Sequence, residues 1–154
     1  MPPAFTISRE PFDGPDSAAL RQAQRDELDA RYGRDDHEPG DPPTAGSLPV
    51  FLVARSTEGV AIGCGGLRPL AAGGAEIKRT YVVPSARGTG VSTAILRAIE
   101  EEARALGVDR LMLETGTEQP DAIRFYEREG YARIPNFGAY VGSEISVCYA
   151  RELH

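Results

Sequence analysis

Two histidines and two cysteines are all that this 154-residue chain offers to metal chemistry or to a disulfide framework. His37 and His154 stand far apart, and neither joins Cys64 or Cys148 at the short spacing of a zinc site, so no metal is expected. Both cysteines fall in predicted strands and read as buried, reduced thiols, with no sequence-near helper that would make either a nucleophile. Basic residues are outnumbered 17 to 23, which removes the positive balance of a nucleic-acid binder. The same acidity tolerates a cationic amine, although ordinary solubility explains it as well. No run approaches the length of a membrane span, and Met1 to Asp13 lacks an apolar core with basic flanks. The expectation is a cytoplasmic protein without nucleic-acid or membrane partners.

What is present is the composition of one globular domain, 41% hydrophobic and 26% charged, which argues against a disordered chain. The most informative stretch is Ala75 to Gly90, followed by an amphipathic segment from Val91 to Leu106. β-Branched and aromatic residues up to Val82 and Val83 predict a strand, and Pro84 closes it because it has no N–H for a ladder. Val91, Ile95, Ala98, Ile99, Ala103 and Leu106 recur at helical spacing, with Gly107 as the stop. A strand, a glycine turn and a helix start point several N–H groups and a positive dipole end at one spot, where an anion belongs. Gly88 and Gly90 let a phosphate approach the main chain, and Arg87 places a charge beside it. A plain structural turn would use the same residues. No Lys-Ser or Lys-Thr pair follows the glycines, and Thr93 stands where a dinucleotide fingerprint needs its third glycine, so those two phosphate sites are excluded.

Around this centre the chain reads as an α/β domain. A strand at Phe5 to Arg9 precedes a helix from Ser17 to Tyr32, capped by Asp16 or Ser17, with Leu20, Ala23, Leu28 and Tyr32 facing inward. Gly33 to Pro49, with no apolar period, is an extended loop. Val50 to Ser56 and Val60 to Leu67 form a hairpin, in which Gly63, Gly65 and Gly66 mark close packing or a bulge and need no ligand. Arg110 to Thr115 is a buried strand parallel to the central one, because a helix crossover joins them. A short helix from Pro120 to Glu129 stops at Gly130. Strands near Tyr131 to Ile134 and from Ile145 to Arg151 complete the sheet.

Two blocks of this sequence resemble the GNAT superfamily of acyl-CoA-dependent N-acetyltransferases. One is Glu76-Ile77-Lys78-Arg79-Thr80-Tyr81-Val82-Val83-Pro84 with Arg87-Gly88-Thr89-Gly90. The other is Gln119-Pro120-Asp121-Ala122-Ile123-Arg124-Phe125-Tyr126, ending in Gly130-Tyr131. The resemblance implies a mixed, mostly antiparallel sheet with a splayed central parallel pair, helices on both faces, and acetyl-CoA as co-substrate. It places the pantetheine against the main chain of Val82 and Val83, and the pyrophosphate on the N–H groups from Arg87 through Gly88, Thr89, Gly90, Val91 and Ser92. Gln119 stands for the commoner Asn, Ser85 for Gln or Arg, and Ser92 for Gly or Ala; none of these changes removes a main-chain amide.

The same resemblance assigns Tyr126 as the acid that protonates the departing thiolate, a position that spacing alone would give to a core tyrosine. It implies a main-chain N–H, taken as that of Val83, for the polarised carbonyl oxygen. An ammonium cannot attack a thioester, so a base is required. Glu76, read as sharing a strand face with Lys78, Thr80 and Val82, is the first candidate and Glu114 the second, and either is also compatible with a salt-bridging role. The acceptor is an amine of a small molecule or peptide. Asp35, Asp36, His37 and Glu38 are expected either to face it or to lie on a flexible surface loop, and Phe137 and Tyr140 either to line its pocket or to pack over the sheet end. A non-catalytic acyl-CoA sensor of the same fold is the alternative, and a homodimer through the last strands is left open.

Overall fold

The computed structural model describes residues 4–33, 42–71 and 73–153. Asp35, Asp36, His37 and Glu38 lie outside the described residues, so their expected place over the acceptor stays an expectation. The elements run β1 (Phe5–Arg9), α1 (Pro15–Tyr32), β2 (Val50–Ser56), β3 (Ala61–Pro69), β4 (Ala75–Val82), α2 (Val91–Ala105), β5 (Arg110–Gly116), α3 (Pro120–Arg128), β6 (Ala132–Ile134) and β7 (Ser146–Glu152). Each predicted element is found, with ends shifted by one or two residues. The start of α1 is the clearest correction. Its N-cap is Gly14, because Pro15 fits the first turn, where its missing N–H would have had no partner. Asp16 pairs with Arg55 at 2.8 Å instead, and Ser17 is buried.

The seven strands form one sheet in the order β1-β2-β3-β4-β5-β7-β6, and only the β4/β5 pair is parallel. Apolar residues alternate to two faces. On one face α2 and α3 cover a core that includes Val50, Leu52, Ile77, Ile95, Ile99, Leu113 and Tyr126. On the other, α1 covers Phe51, Val53 and Cys64 through Leu20 and Phe12. Gly63 and Gly65 of β3 are explained by α2. A Cβ on Gly63 would lie 2.9 Å from Ile95 Cδ1, and one on Gly65 would lie 2.8 Å from Ile99 Cδ1. Both cysteines are free and buried, as expected.

β4 carries a bulge that its sequence does not announce. Gly66 pairs with Lys78 and Cys64 with Tyr81, so Gly65 alone faces both Arg79 and Thr80. Arg79 adopts a left-handed φ of 59°, which costs an L residue about 1–2 kcal/mol. The inserted residue inverts the alternation. Glu76 and Lys78 project to the face opposite Ile77, whereas Thr80 and Val82 join Ile77's face, toward α2 and α3. The expectation that Glu76, Lys78, Thr80 and Val82 share one face is therefore corrected. Side chains satisfy the carbonyls at the bulge: Cys64 Sγ donates to Arg79 O at 3.3 Å, and Gln24 Nε2 of α1 donates to Thr80 O at 2.8 Å.

Candidate active site

β4 and β5 pair over only three rungs, Ala75 with Leu111, Glu76 with Met112 and Ile77 with Leu113. Beyond Leu113, β5 continues against β7, while β4 passes through its bulge against β3, so the two strands part and leave a wedge. Ile77 and Leu113 form its floor, Thr80 and Arg79 one wall, Glu114 and Thr115 the other, and Tyr126 of α3 closes one side. From α1, Gln24, Leu28 and Tyr32 complete the enclosure. The Tyr32 hydroxyl sits only 1.5 Å from where a Cβ on Gly116 would be, and it accepts a hydrogen bond from the Glu118 N–H at 3.3 Å. Glycine at the end of β5 is what lets α1 close over the wedge.

Tyr126 is 6% exposed, and its hydroxyl lies 2.9 Å from Thr80 Oγ1. Burial pushes its phenol above the ordinary range, and the Thr80 hydrogen bond draws it partly back. Such a phenol stays protonated at neutral pH and can donate. Gln119 also lines the wedge, at the N-terminus of α3, where its side chain caps no helix N–H. Gln24 Oε1 is buried without a hydrogen-bond partner among the described residues, an unmet acceptor in a wall of the wedge.

The two candidate bases occupy different surroundings. Glu114 lines the wedge, and its Oε2 accepts from Ser146 Oγ at 2.8 Å. Glu76 does not line it. Its Oε1 takes Arg68 at 2.6 Å, and its Oε2 takes the Tyr140 hydroxyl at 2.6 Å, while Lys78 Nζ donates to that hydroxyl at 2.9 Å. Glu76, Lys78 and Tyr140 are buried, and each Glu76 oxygen is engaged, so Glu76 reads as a structural anion. Tyr140 belongs to the cluster and Phe137 packs edge-on against it at 5.3 Å; neither lines the wedge.

At the far end of β4 lies the glycine turn. Gly88 and Gly90 have φ of 77° and 91°, and a Cβ on either would meet nothing within 4 Å. The backbone angle, not crowding, requires glycine there, and the space over the turn is open. Gly90 caps α2 without a side chain, so the first N–H groups of this 15-residue helix, from buried Val91 and half-buried Ser92 onward, face that space uncapped by any side-chain oxygen. The Thr89 hydroxyl turns back to Ala86 O. These features fit a pyrophosphate.

Two details differ from the sequence reading. Arg87 binds Val82 O at 2.9 Å and Glu27 of α1 at 2.8 Å, so its guanidinium ties the turn to α1. The Val83 N–H donates to Ile62 O at 2.9 Å and is not available to a thioester carbonyl. Reading the sequence alone also missed Gln24, Tyr32, Arg79 and Thr80, whose place in the site depends on the bulge and on how α1 crosses the sheet.

A sheet with one splayed parallel pair and a glycine turn at its mouth defines the class of acyl-CoA N-acyltransferases. A structure from Klebsiella pneumoniae, described as an acyl-CoA N-acyltransferase, superposes with a TM-score of 0.83 and 29% identity, covering 97% of this chain and 98% of that one. A GNAT acetyltransferase from Elizabethkingia anophelis, solved with acetyl-CoA bound, gives 0.71 at 18% identity, covering 97% and 99%, a likeness of fold alone. In sequence, the chain is 40% identical over 104 residues to an IAA acetyltransferase of Azospirillum brasilense, 67% of each chain. Over 56 residues it is 43% identical to an aminoalkylphosphonate N-acetyltransferase of Salmonella typhimurium, 36% of each. The pattern of the acetyltransferase (GNAT) family matches residues 17–131. The chain belongs to that family and is an acetyltransferase.

Proposed function

We propose that this protein moves the acetyl group of acetyl-CoA to a primary amine of a small molecule or peptide, by direct attack while both substrates are bound. The observation that carries the reading is the wedge beyond Ile77 and Leu113 with the buried Tyr126 hydroxyl in its wall. Val82, the turn from Arg87 to Gly90, the first amides of α2 at Val91 and Ser92, and Gln119 hold the cofactor. Val83 contributes main-chain and apolar contact only.

Glu114 accepts the proton that the attacking amine must lose, and its position in the wedge favours it over Glu76. As the C–N bond forms and the C–S bond breaks, Tyr126 gives its phenolic proton to the departing sulfur. Solvent returns that proton and removes the one on Glu114. Gln24 Oε1, buried without a partner, is the acceptor for an N–H of the incoming amine. The similarity to an aminoalkylphosphonate N-acetyltransferase puts aminoalkylphosphonates first in a test panel, followed by amino acids, polyamines and peptides with free N-termini as other primary amines.

Isothermal titration of acetyl-CoA against the unmodified protein, Tyr126→Phe and Gly88→Glu tests the site. Binding should persist in Tyr126→Phe and fail in Gly88→Glu, where a carboxylate and a side chain at positive φ meet the pyrophosphate. The amine panel, followed by release of free thiol, should then show turnover that drops at least about a hundredfold in Tyr126→Phe. No binding by the folded unmodified protein would overturn the reading. Binding without turnover of any amine would favour a non-catalytic sensor.

A further inference from the structure

The hydroxyl of Thr80 has no role in the reading above, yet the most strained residue of the sheet places it. Without the extra residue at Arg79, Thr80 would stand on the face of Glu76 and Lys78. With it, Thr80 Oγ1 comes to 2.9 Å from Tyr126 Oη, its methyl sits at the Gly65 and Ile99 contact, and Gln24 fixes its carbonyl. A phenol has one proton and can give it to one partner. If Tyr126 donated to Thr80, nothing would remain for the sulfur. We propose that Thr80 is the positioning residue of the acid: its hydroxyl donates to the Tyr126 oxygen, which directs the phenolic proton into the wedge and holds the phenolate once that proton has left. The inference rests on the acid role given to Tyr126.

The step balances within the named groups. The Tyr126 O–H bond breaks, an S–H bond forms, and the negative charge moves from sulfur to the phenolate, where the Thr80 O–H meets it. Burial raises the phenol and the Thr80 bond lowers it, in keeping with donation to the charged form. Titratable groups around Tyr126 are Tyr131, ring to ring at 5.8 Å, and, on the walls of the same wedge, Lys78, Arg79, Glu114 and Tyr32.

The test compares Thr80→Val, which keeps the shape and removes the hydroxyl, with Thr80→Ser, which restores it. In protein carrying 13Cζ-tyrosine, the Tyr126 resonance is assigned by its loss in Tyr126→Phe. Thr80→Val should shift this resonance and move its titration upward by about one pH unit, and Thr80→Ser should return it. With the panel amine that turns over fastest, Thr80→Val should lower kcat about tenfold to a hundredfold with KM for acetyl-CoA within about twofold, and Thr80→Ser should recover most of the rate. The double variant Thr80→Val with Tyr126→Phe should be no slower than Tyr126→Phe alone. An unmoved Tyr126 resonance in Thr80→Val, or losses that multiply in the double variant, would overturn the proposal. The resonance needs no substrate. Failure of the enzyme reading shows separately, as absent acetyl-CoA binding or absent turnover in the unmodified protein.

Discussion

The two halves of β4 belong to one strand and do opposite work. As far as Ile77, the strand is paired on both sides, and before Arg79 its polar side chains are tied up: Glu76 and Lys78 are nearly inaccessible and are held by Arg68 and Tyr140. After Arg79, β4 pairs with β3 alone, and Thr80 turns to the wedge beside Tyr126. The difference is one inserted residue. A charged residue near a catalytic wedge is therefore not thereby part of the chemistry: Ile77 and Lys78 reach the wedge from before the bulge, but the bulge is what turns Thr80 to the face of Tyr126 and leaves Glu76 in its own cluster.

Glu76→Gln strikes the first half hardest. Lys78 Nζ lies 3.8 Å from the Glu76 carboxylate in a buried site, and removing one partner of a buried pair costs about 3–5 kcal/mol. A large fall in the urea midpoint is expected, with acetyl-CoA affinity of the folded protein within about twofold. Glu114→Gln should do the reverse, losing turnover with stability changed by less than about 1 kcal/mol. If Glu76→Gln proved as stable as the unmodified protein but inactive, the division between the halves would collapse and Glu76 would regain the role of base.

The thiol behind the bulge sharpens the comparison through pH. Burial pushes Cys64 up from 9 to about 12, and its S–H donates to Arg79 O. A thiol held protonated in the folded state stabilises fully below about pH 9, the unfolded value, and that stability is lost as pH rises toward about 12. Tyr126, raised by the same cause, adds to alkaline loss. Cys64→Ala leaves the Arg79 carbonyl without its donor and should cost about 1–3 kcal/mol at pH 7. Its melting temperature should then fall less steeply between pH 9 and 12 than that of the unmodified protein. Equal slopes would mean that the thiol does not titrate with unfolding.

Most of the fold was legible in the sequence because its signals are local. The strand ending at Pro84, the amphipathic spacing from Val91, the glycine stops at Gly107 and Gly130, and the two family blocks lead to the right elements and to the wedge. The inversion at Arg79 was not legible, since period-two reading assumes an unbroken strand and arginine gives no hint of a left-handed φ. One indirect signal existed in the glycines of β3, which were read as a bulge or close packing but could not say which residue opposite was extra. Gln24 and Tyr32 were hidden for another reason. They lie on a helix whose spacing shows only that a side faces inward, and the wedge they enter is made by strands some 50 to 90 residues later.

Arg79 itself allows the finest separation, that of backbone strain from side-chain contact. Arg79→Ala keeps the strained L residue and removes the guanidinium; Arg79→Gly removes both the guanidinium and the strain. A left-handed L residue costs about 1–2 kcal/mol, and glycine returns about 0.5–1 kcal/mol of that through the entropy of its unfolded chain. Arg79→Gly should thus be more stable than Arg79→Ala by up to about 1 kcal/mol, measured by urea unfolding. The sign of that difference is what matters. A glycine variant less stable than the alanine one would mean that the strain at Arg79 is smaller than the roughly 0.5–1 kcal/mol that glycine loses through its unfolded chain, and that Thr80 reaches Tyr126 on a backbone path that costs little.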